Sequence, residues 1–125
     1  AGNHFTASVA SATDLPRPVD RIAYFGHVDA QGLAIPVRAG MVAATMGLPQ
    51  IEPAGALYEL LFVHGRPAVH GGGPMDALTA ENRVAWLPAR LRSAAARLLG
   101  EGKRLAQEWV GLEVLEHDLS WLGRL

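Results

Sequence analysis

The strongest constraint on the fold is an apolar segment that stops at an acid and then resumes. Aromatic and branched side chains predict a strand over residues 21–28, and the small residues beside Asp29 predict a turn over residues 29–32. An acid placed where a strand gives way to a helix is held in position and loses part of its hydration, which favours action as a base or nucleophile. The alternative role is structural: Asp29 then forms only an Asx-type turn before Gly32.

The length of the chain sets the number of domains. With 125 residues, 50% of them apolar, the chain can bury one sizeable core and needs no second domain. Residues 1–20 are mostly small and polar and include Pro16 and Pro18, which predicts an N-terminal arm or loop. Residues 21–125 are therefore predicted to form a single domain.

Charge and composition exclude several classes of function. Eleven Lys and Arg residues against twelve Asp and Glu residues give a formal net charge of −1, so no concentrated basic surface for nucleic acid is expected. The absence of cysteine excludes disulfides, thiolate metal sites and cysteine nucleophiles. No apolar run approaches the roughly 20 residues of a membrane span, and the first residues do not resemble a basic signal peptide. These features predict a soluble, cytoplasmic protein that binds no membrane.

A helix is predicted after the acid-bearing turn. Pro36 suits a first helical turn, apolar residues follow it at near-helical spacing, and Gly47 followed by Pro49 predicts the end of the helix. The N-terminus of this helix, near Pro36 to Arg38, would offer unpaired N–H donors and the positive end of the helix dipole. Residues 57–63 form a short, continuous apolar run and are predicted to be a strand.

The second half of the chain allows two interpretations. Residues 78–86 alternate apolar and polar side chains, which predicts a half-buried strand. Residues 89–99 have the composition of a helix, with apolar side chains on one face. However, residues 100–103 suit a hairpin loop, and residues 109–115 alternate as a strand does. Residues 89–99 are thus either a helix or one strand of an antiparallel pair.

Three segments of the chain are similar to sequence motifs of one known protein family. Residues 25–32, Phe-Gly-His-Val-Asp-Ala-Gln-Gly, are similar to the family's Phe-Gly-Asp-x-Asp-x-x-Gly turn, with Asp29 at the second acid and histidine at the first. Residues 66–71 match the Arg-Pro-Ala-x-x-Gly step that follows the first strand after the helix. Residues 78–86, 91–99 and 104–115 can be aligned with the closing strands.

With these three segments the chain resembles the hot-dog-fold thioesterases of the 4-hydroxybenzoyl-CoA thioesterase class. This resemblance implies an α+β hot-dog fold, in which an antiparallel sheet wraps around a central helix. It implies hydrolysis of an acyl-CoA or acyl-carrier-protein thioester, with Asp29 as nucleophile or general base and His27 as an orienting residue. It also implies a homodimer or homotetramer, and no cofactor beyond the coenzyme A or pantetheine of the substrate. The residues expected to bind the substrate are Gly32, Pro36, Val37, Arg38 and Arg66.

Two other functions fit the same residues. One is a non-catalytic ligand-binding or interaction subunit in which residues 87–118 form two helices that dock a partner. The other keeps the hot-dog fold but makes the protein a thioester dehydratase or isomerase with His27 as the base. A metal site is not predicted, because the histidines form neither a His-x-His pair nor a His-Glu-x-x-His helix.

Overall fold

The computed structural model describes residues 21–118. The predicted N-terminal arm, residues 1–20, lies outside the described residues, as do residues 119–125. The elements, in chain order, are β1 (Ile22–Tyr24), α1 (Ala30–Thr45), β2 (Ile51–Pro53), α2 (Gly55–His64), β3 (Ala68–Val69), α3 (Ala77–Val84), α4 (Ala89–Gly100), β4 (Lys103–Arg104), a 3₁₀ turn (Gln107–Trp109) and α5 (Leu112–His117). No helix among these residues is long and apolar enough to cross a membrane.

A β-α-β unit forms the first half of the described chain. Strand β1 pairs with β2 in parallel, with Ile22 opposite Ile51, and α1 makes the crossover that a parallel pair requires. Helix α1 begins at Ala30, so Pro36 lies in its second turn and the predicted start at Pro36 is wrong. The predicted end is confirmed, because Gly47 follows the helix with φ of +69°, a conformation that favours glycine.

Helix α2 corrects the strand predicted over residues 57–63. Tyr58, Leu60 and Leu61 are buried, and this set does not follow the alternation of a strand. A short segment that is apolar on all sides has no period that separates a buried strand from a buried helix, which explains the wrong prediction.

Helix α3 corrects the strand predicted over residues 78–86. Leu78, which the alternation placed in the core, is 68% exposed, whereas Ala80 and Val84 are buried. Residues four apart share one face of a helix, so these two side chains reach the core together. The alternation was a coincidence of composition, and the helical spacing within it determined the structure.

Helix α4 settles the ambiguous segment as a helix. Leu91, Ala95 and Leu98 are buried on one face, as the helical interpretation predicted. The turn after it leads into β4, which pairs with β3 and not with residues 89–99. The strand predicted over residues 109–115 is also wrong, because a helix covers Leu112–His117. Its expected partner strand, residues 89–99, is a helix as well.

The predicted α+β class is confirmed, since helices and short strands mix along the described chain. The hot-dog arrangement is not confirmed. The strands of residues 21–118 form a parallel pair and an antiparallel pair, and no larger sheet wraps around a helix in this part of the chain.

The main core lies between α2, α3 and α4. Its buried members are Val28, Leu33, Tyr58, Leu61, Ala80, Val84, Leu87, Leu91, Ala95, Leu98, Leu99 and Leu105. A smaller cluster under the parallel strands contains Ala39, Ala43 and Ile51. Trp86 packs against both clusters and donates from Nε1 to the carbonyl oxygen of Ile51 at 3.0 Å. Its indole therefore connects the two halves of the domain.

The Asp76 carboxylate caps α3, and this cap is expected to make stability depend on pH. Asp76 accepts from the backbone N–H of Thr79 at 3.1 Å and from its hydroxyl at 2.7 Å. The hydroxyl and then the N–H of Thr79 hold the pKa of Asp76 below its ordinary value of 3.8. Because the unfolded chain then binds the proton more tightly, the cap stabilises the fold above that value and is lost as pH falls through the folded pKa.

Asp76→Ala is therefore expected to lower the melting temperature near neutral pH, with a deficit that shrinks in acid. Thermal unfolding of both proteins between neutral pH and about pH 2 measures that deficit. Asp76→Asn is the matched control, because asparagine caps helices about as well as aspartate but does not titrate. A deficit that stays constant down to the lowest pH would contradict the proposed cap.

Candidate functional site

Asp29 lies at the junction between the parallel strand and helix α1. Its Oδ1 accepts from the backbone N–H of Gly32 at 2.7 Å, and its carbonyl oxygen accepts from the N–H of Leu33 at 3.0 Å. The residue is only 5% exposed. The predicted Asx-type turn is thus present as a helix cap, and the cap fixes the carboxylate through Oδ1 and leaves Oδ2 outside the cap.

Arg104 is the partner that local sequence patterns did not reveal. A pair of backbone hydrogen bonds joins Val28 and Leu105, 2.9 Å and 3.1 Å long, and places Arg104 beside the turn. The Nε of Arg104 lies 3.3 Å from Oδ2 of Asp29. This is a contact between opposite charges that does not form a hydrogen bond, since Nε is buried without a hydrogen-bond partner among the described residues.

His27 is fixed by the chain that follows Arg104. Its Nδ1 accepts from the backbone N–H of Gln107 at 2.9 Å. The carboxylate of Glu108 lies 3.6 Å from the same nitrogen. A neutral imidazole that accepts at Nδ1 carries its proton on Nε2, so in this arrangement His27 is a hydrogen-bond donor and not a base.

These side chains meet in one cleft of about 590 Å³. The residues that line it are Tyr24, Phe25, His27, Asp29, Gln31, Gly32, Ile35, His70, Arg104, Gln107 and Glu108. Burial, and to a smaller extent the charge of Asp29, raises the pKa of Tyr24, so its phenol stays neutral at physiological pH. The cleft thus offers two carboxylates, a guanidinium, two imidazoles and a phenol beside the apolar side chains of Phe25 and Ile35. It lies at the carboxyl end of a parallel strand, where ligands bind in open parallel sheets.

The first turn of α1 supplies unused backbone donors beside the cleft. The N–H groups of Ala30 and Gln31 make no hydrogen bond to any residue between 21 and 118. Such groups carry the positive end of the helix dipole and suit a developing negative charge. The sequence predicted donors of this kind near Pro36 to Arg38, and the structure places them earlier in the helix.

The structure brings some of the predicted site residues together and separates others. His27, Asp29 and Gly32 share the cleft. Val37 and Arg38 line a neighbouring groove of about 690 Å³ between α1 and α3, and Gln31 borders both spaces. Pro36 is buried inside α1, and Arg66 is exposed and lines neither space.

Metal binding has no support in the described part of the chain. No group of three or more His, Asp or Glu side chains within residues 21–118 is placed to hold a metal ion. His64 pairs with Asp118, with Nε2 3.0 Å from the carboxylate. His70 lines the cleft described above.

Comparisons with known proteins found no relative. No protein-family model, curated protein or solved structure matches this chain. A proposal about its function therefore depends on the chemistry of the cleft.

Proposed function

We propose that the chain hydrolyses an acyl thioester, carried by coenzyme A or an acyl-carrier protein, in the cleft beside Asp29. One observation carries the proposal: a carboxylate only 5% exposed is fixed by a helix cap and faces an arginine at the wall of a cleft. Fixed position and partial dehydration are the conditions under which a carboxylate assists attack on a carbonyl carbon.

The reaction consumes one water molecule and gives an acid and a thiol. Asp29 acts in one of two ways. As a general base it takes a proton from water, the water oxygen attacks the carbonyl carbon, the C–S bond breaks, and the proton passes to the leaving sulfur. As a nucleophile its oxygen attacks first, the thiolate leaves, and water then opens the mixed anhydride. The N–H groups of Ala30 and Gln31 in the first turn of α1 are the candidate donors for the negative charge that develops on the carbonyl oxygen.

His27 supports this reaction as a donor. With Nδ1 occupied by the N–H of Gln107, the proton on Nε2 can be donated to a substrate oxygen. The alternative dehydratase or isomerase requires His27 as a base, which would need the Gln107 hydrogen bond to break. An alkene product in place of a free thiol would favour that alternative.

The hydrolase proposal does not depend on the hot-dog arrangement. That arrangement requires strands where residues 77–84 and 89–100 form helices. The homodimer or homotetramer implied by the same resemblance stays a prediction, and sedimentation equilibrium tests it.

Release of free thiol from a panel of acyl-CoA thioesters tests the proposal. Asp29→Asn is expected to lower the rate by about 100-fold or more, the usual contribution of a positioned acid or base. Asparagine also caps helices, so the turn should persist. Asp76→Asn is the matched control, because it makes the same change at another helix cap. Its rate should equal that of the unmodified protein.

Two outcomes would overturn the proposal. Equal rates for Asp29→Asn and Asp76→Asn would remove Asp29 from the mechanism. No thiol release from any thioester would remove the hydrolase activity altogether.

A second candidate is non-catalytic binding of a small ligand in the same cleft. It is favoured because both oxygens of Asp29 already have partners, Gly32 and Arg104. Acyl compounds would then raise the melting temperature without thiol release. The version in which two helices dock a partner has less support, because the apolar face of α4 is buried in the core.

A further inference from the structure

Arg104 has hydrogen-bonding capacity that the described chain does not satisfy. Its Nε is buried and has no hydrogen-bond partner, although Asp29 lies 3.3 Å away. A guanidinium carries five N–H donors in a planar fork, and four of them belong to the two terminal Nη groups. The atom of Arg104 that faces Asp29 is Nε, so a ligand in the cleft would meet the terminal groups of the fork.

The exposed part of the Arg104 side chain borders the cleft. The side chain is 33% exposed, while that of Asp29 is only 8% exposed. Because Nε is the atom against Asp29, the terminal Nη groups are left for an entering ligand. A planar carboxylate matches this fork with two parallel hydrogen bonds.

The other charges around the cleft agree with this assignment. Glu108, the second acid in the lining, is 69% exposed and lies against His27 at the rim. His70 adds a second imidazole to the wall. Among the described residues that line the cleft, Arg104 is therefore the permanent cation that a bound carboxylate would meet.

We infer that the acyl group of the substrate carries a carboxylate of its own, which Arg104 binds. The substrate class is then the thioester of a short dicarboxylic acid. The acid must be short because Arg104 and Asp29 are in direct contact, so the free carboxylate and the thioester carbonyl can lie only a few bonds apart. This inference rests on the proposed hydrolase function and adds the substrate class to it.

Hydrolysis of a matched pair of thioesters tests the inference. Succinyl-CoA and butyryl-CoA have acyl chains of equal length and differ in the terminal carboxylate. The unmodified protein is expected to show at least about a tenfold higher kcat/KM for succinyl-CoA than for butyryl-CoA. A factor of this size is typical of one charge-assisted hydrogen-bonded pair. Arg104→Met should bring the ratio of the two values close to one, and Arg104→Lys should give an intermediate ratio. Arg97→Met, an exposed arginine on α4 outside the cleft, should leave the ratio unchanged.

Binding of free acids gives a readout that does not require hydrolysis. Succinate is expected to raise the melting temperature of the unmodified protein by about 3 °C at saturating concentration, and the neutral succinamide should not. Arg104→Lys, which keeps the charge beside Asp29 and therefore the fold, should lose most of that rise.

The hydrolysis assay and the melting assay together distinguish the failure of this inference from the failure of the hydrolase proposal. Thioester hydrolysis without preference for the succinyl group, together with no effect of succinate on melting, would overturn the inference and leave the hydrolase standing. Stabilisation by succinate that depends on Arg104, without any thiol release, would support the carboxylate site and overturn the hydrolase.

Discussion

Gly32→Ala is expected to destabilise the fold by about 3 kcal/mol. A Cβ on Gly32 would lie 2.2 Å from the carbonyl oxygen of His27 and 3.1 Å from Oδ1 of Asp29. The carbonyl belongs to the backbone and cannot move aside as the end of a flexible side chain does. The turn that holds Asp29 must therefore shift. Unfolding in urea, followed by far-UV circular dichroism, measures the loss.

Gly40→Ala is the matched control within the same helix. The nearest atom to a Cβ there is Cγ1 of Ile51 at 3.9 Å, an ordinary van der Waals distance. Alanine has the higher helix propensity, so this variant should be more stable by about 0.5–1 kcal/mol. Changes of opposite sign would separate the steric clash from propensity. If both variants gained stability, the close approach at Gly32 would be refuted.

Tyr58→Ala is expected to cost about 4 kcal/mol of the free energy of unfolding, as large aromatic truncations in a core do. Tyr58 is completely buried. Its ring makes edge contacts with Phe25 and Trp86, at centroid distances of 5.0 Å and 5.8 Å. Since small domains have only about 5–15 kcal/mol of net stability, this variant should lie close to unfolding. Urea denaturation at low temperature measures the change.

Tyr58→Phe separates the ring from its hydroxyl. The hydroxyl accepts from the backbone N–H of Gly26 at 3.1 Å, and burial raises the pKa of Tyr58, so the phenol is neutral. Phenylalanine keeps the packing but leaves that N–H unpaired, for an expected loss of about 1–2 kcal/mol. Equal losses for the two variants would mean that the hydroxyl, and not the ring, makes the main contribution.

The parts of the fold that depend on neighbouring residues were predictable. The strand before Asp29, the turn at Asp29 and the end of α1 each follow from a few adjacent residues, although the strand spans only Ile22–Tyr24 of the predicted residues 21–28. The same is true of α4, whose composition and one-sided apolar spacing predict a helix. Local hydrogen bonding and side-chain period determine these features, so they can be read from the sequence.

The parts that depend on burial were not predictable in the same way. Helix α2 is apolar on nearly every side, so its sequence has no face that points to the core. Helix α3 contains a short alternation that fits a strand as well as its buried residues fit a helix. In both cases packing against the rest of the core determined the structure, and local pattern gave the wrong element.

Some residues of the candidate site could be predicted from the sequence, and others could not. Asp29 and His27 could be selected because they stand at a strand end in a recognisable turn. Arg104 could not, because it comes from a distant part of the chain and gives no local signal. Arg38 was selected as a cation near the helix, but the helix starts earlier than expected and turns this side chain into the neighbouring groove.

The two backbone hydrogen bonds between Val28 and Leu105 have a consequence for the order of folding. Val28 and Leu105 lie far apart in the sequence. The segment between them forms a long loop, and closing it costs much of the chain's conformational entropy. The β-α-β unit can form from local contacts, whereas the cleft needs the closure. A partly folded chain can therefore contain the Asp29 turn without Arg104. A ligand that binds both Asp29 and Arg104 would bind only the chain in which Val28 and Leu105 are paired, and would therefore stabilise that state by mass action.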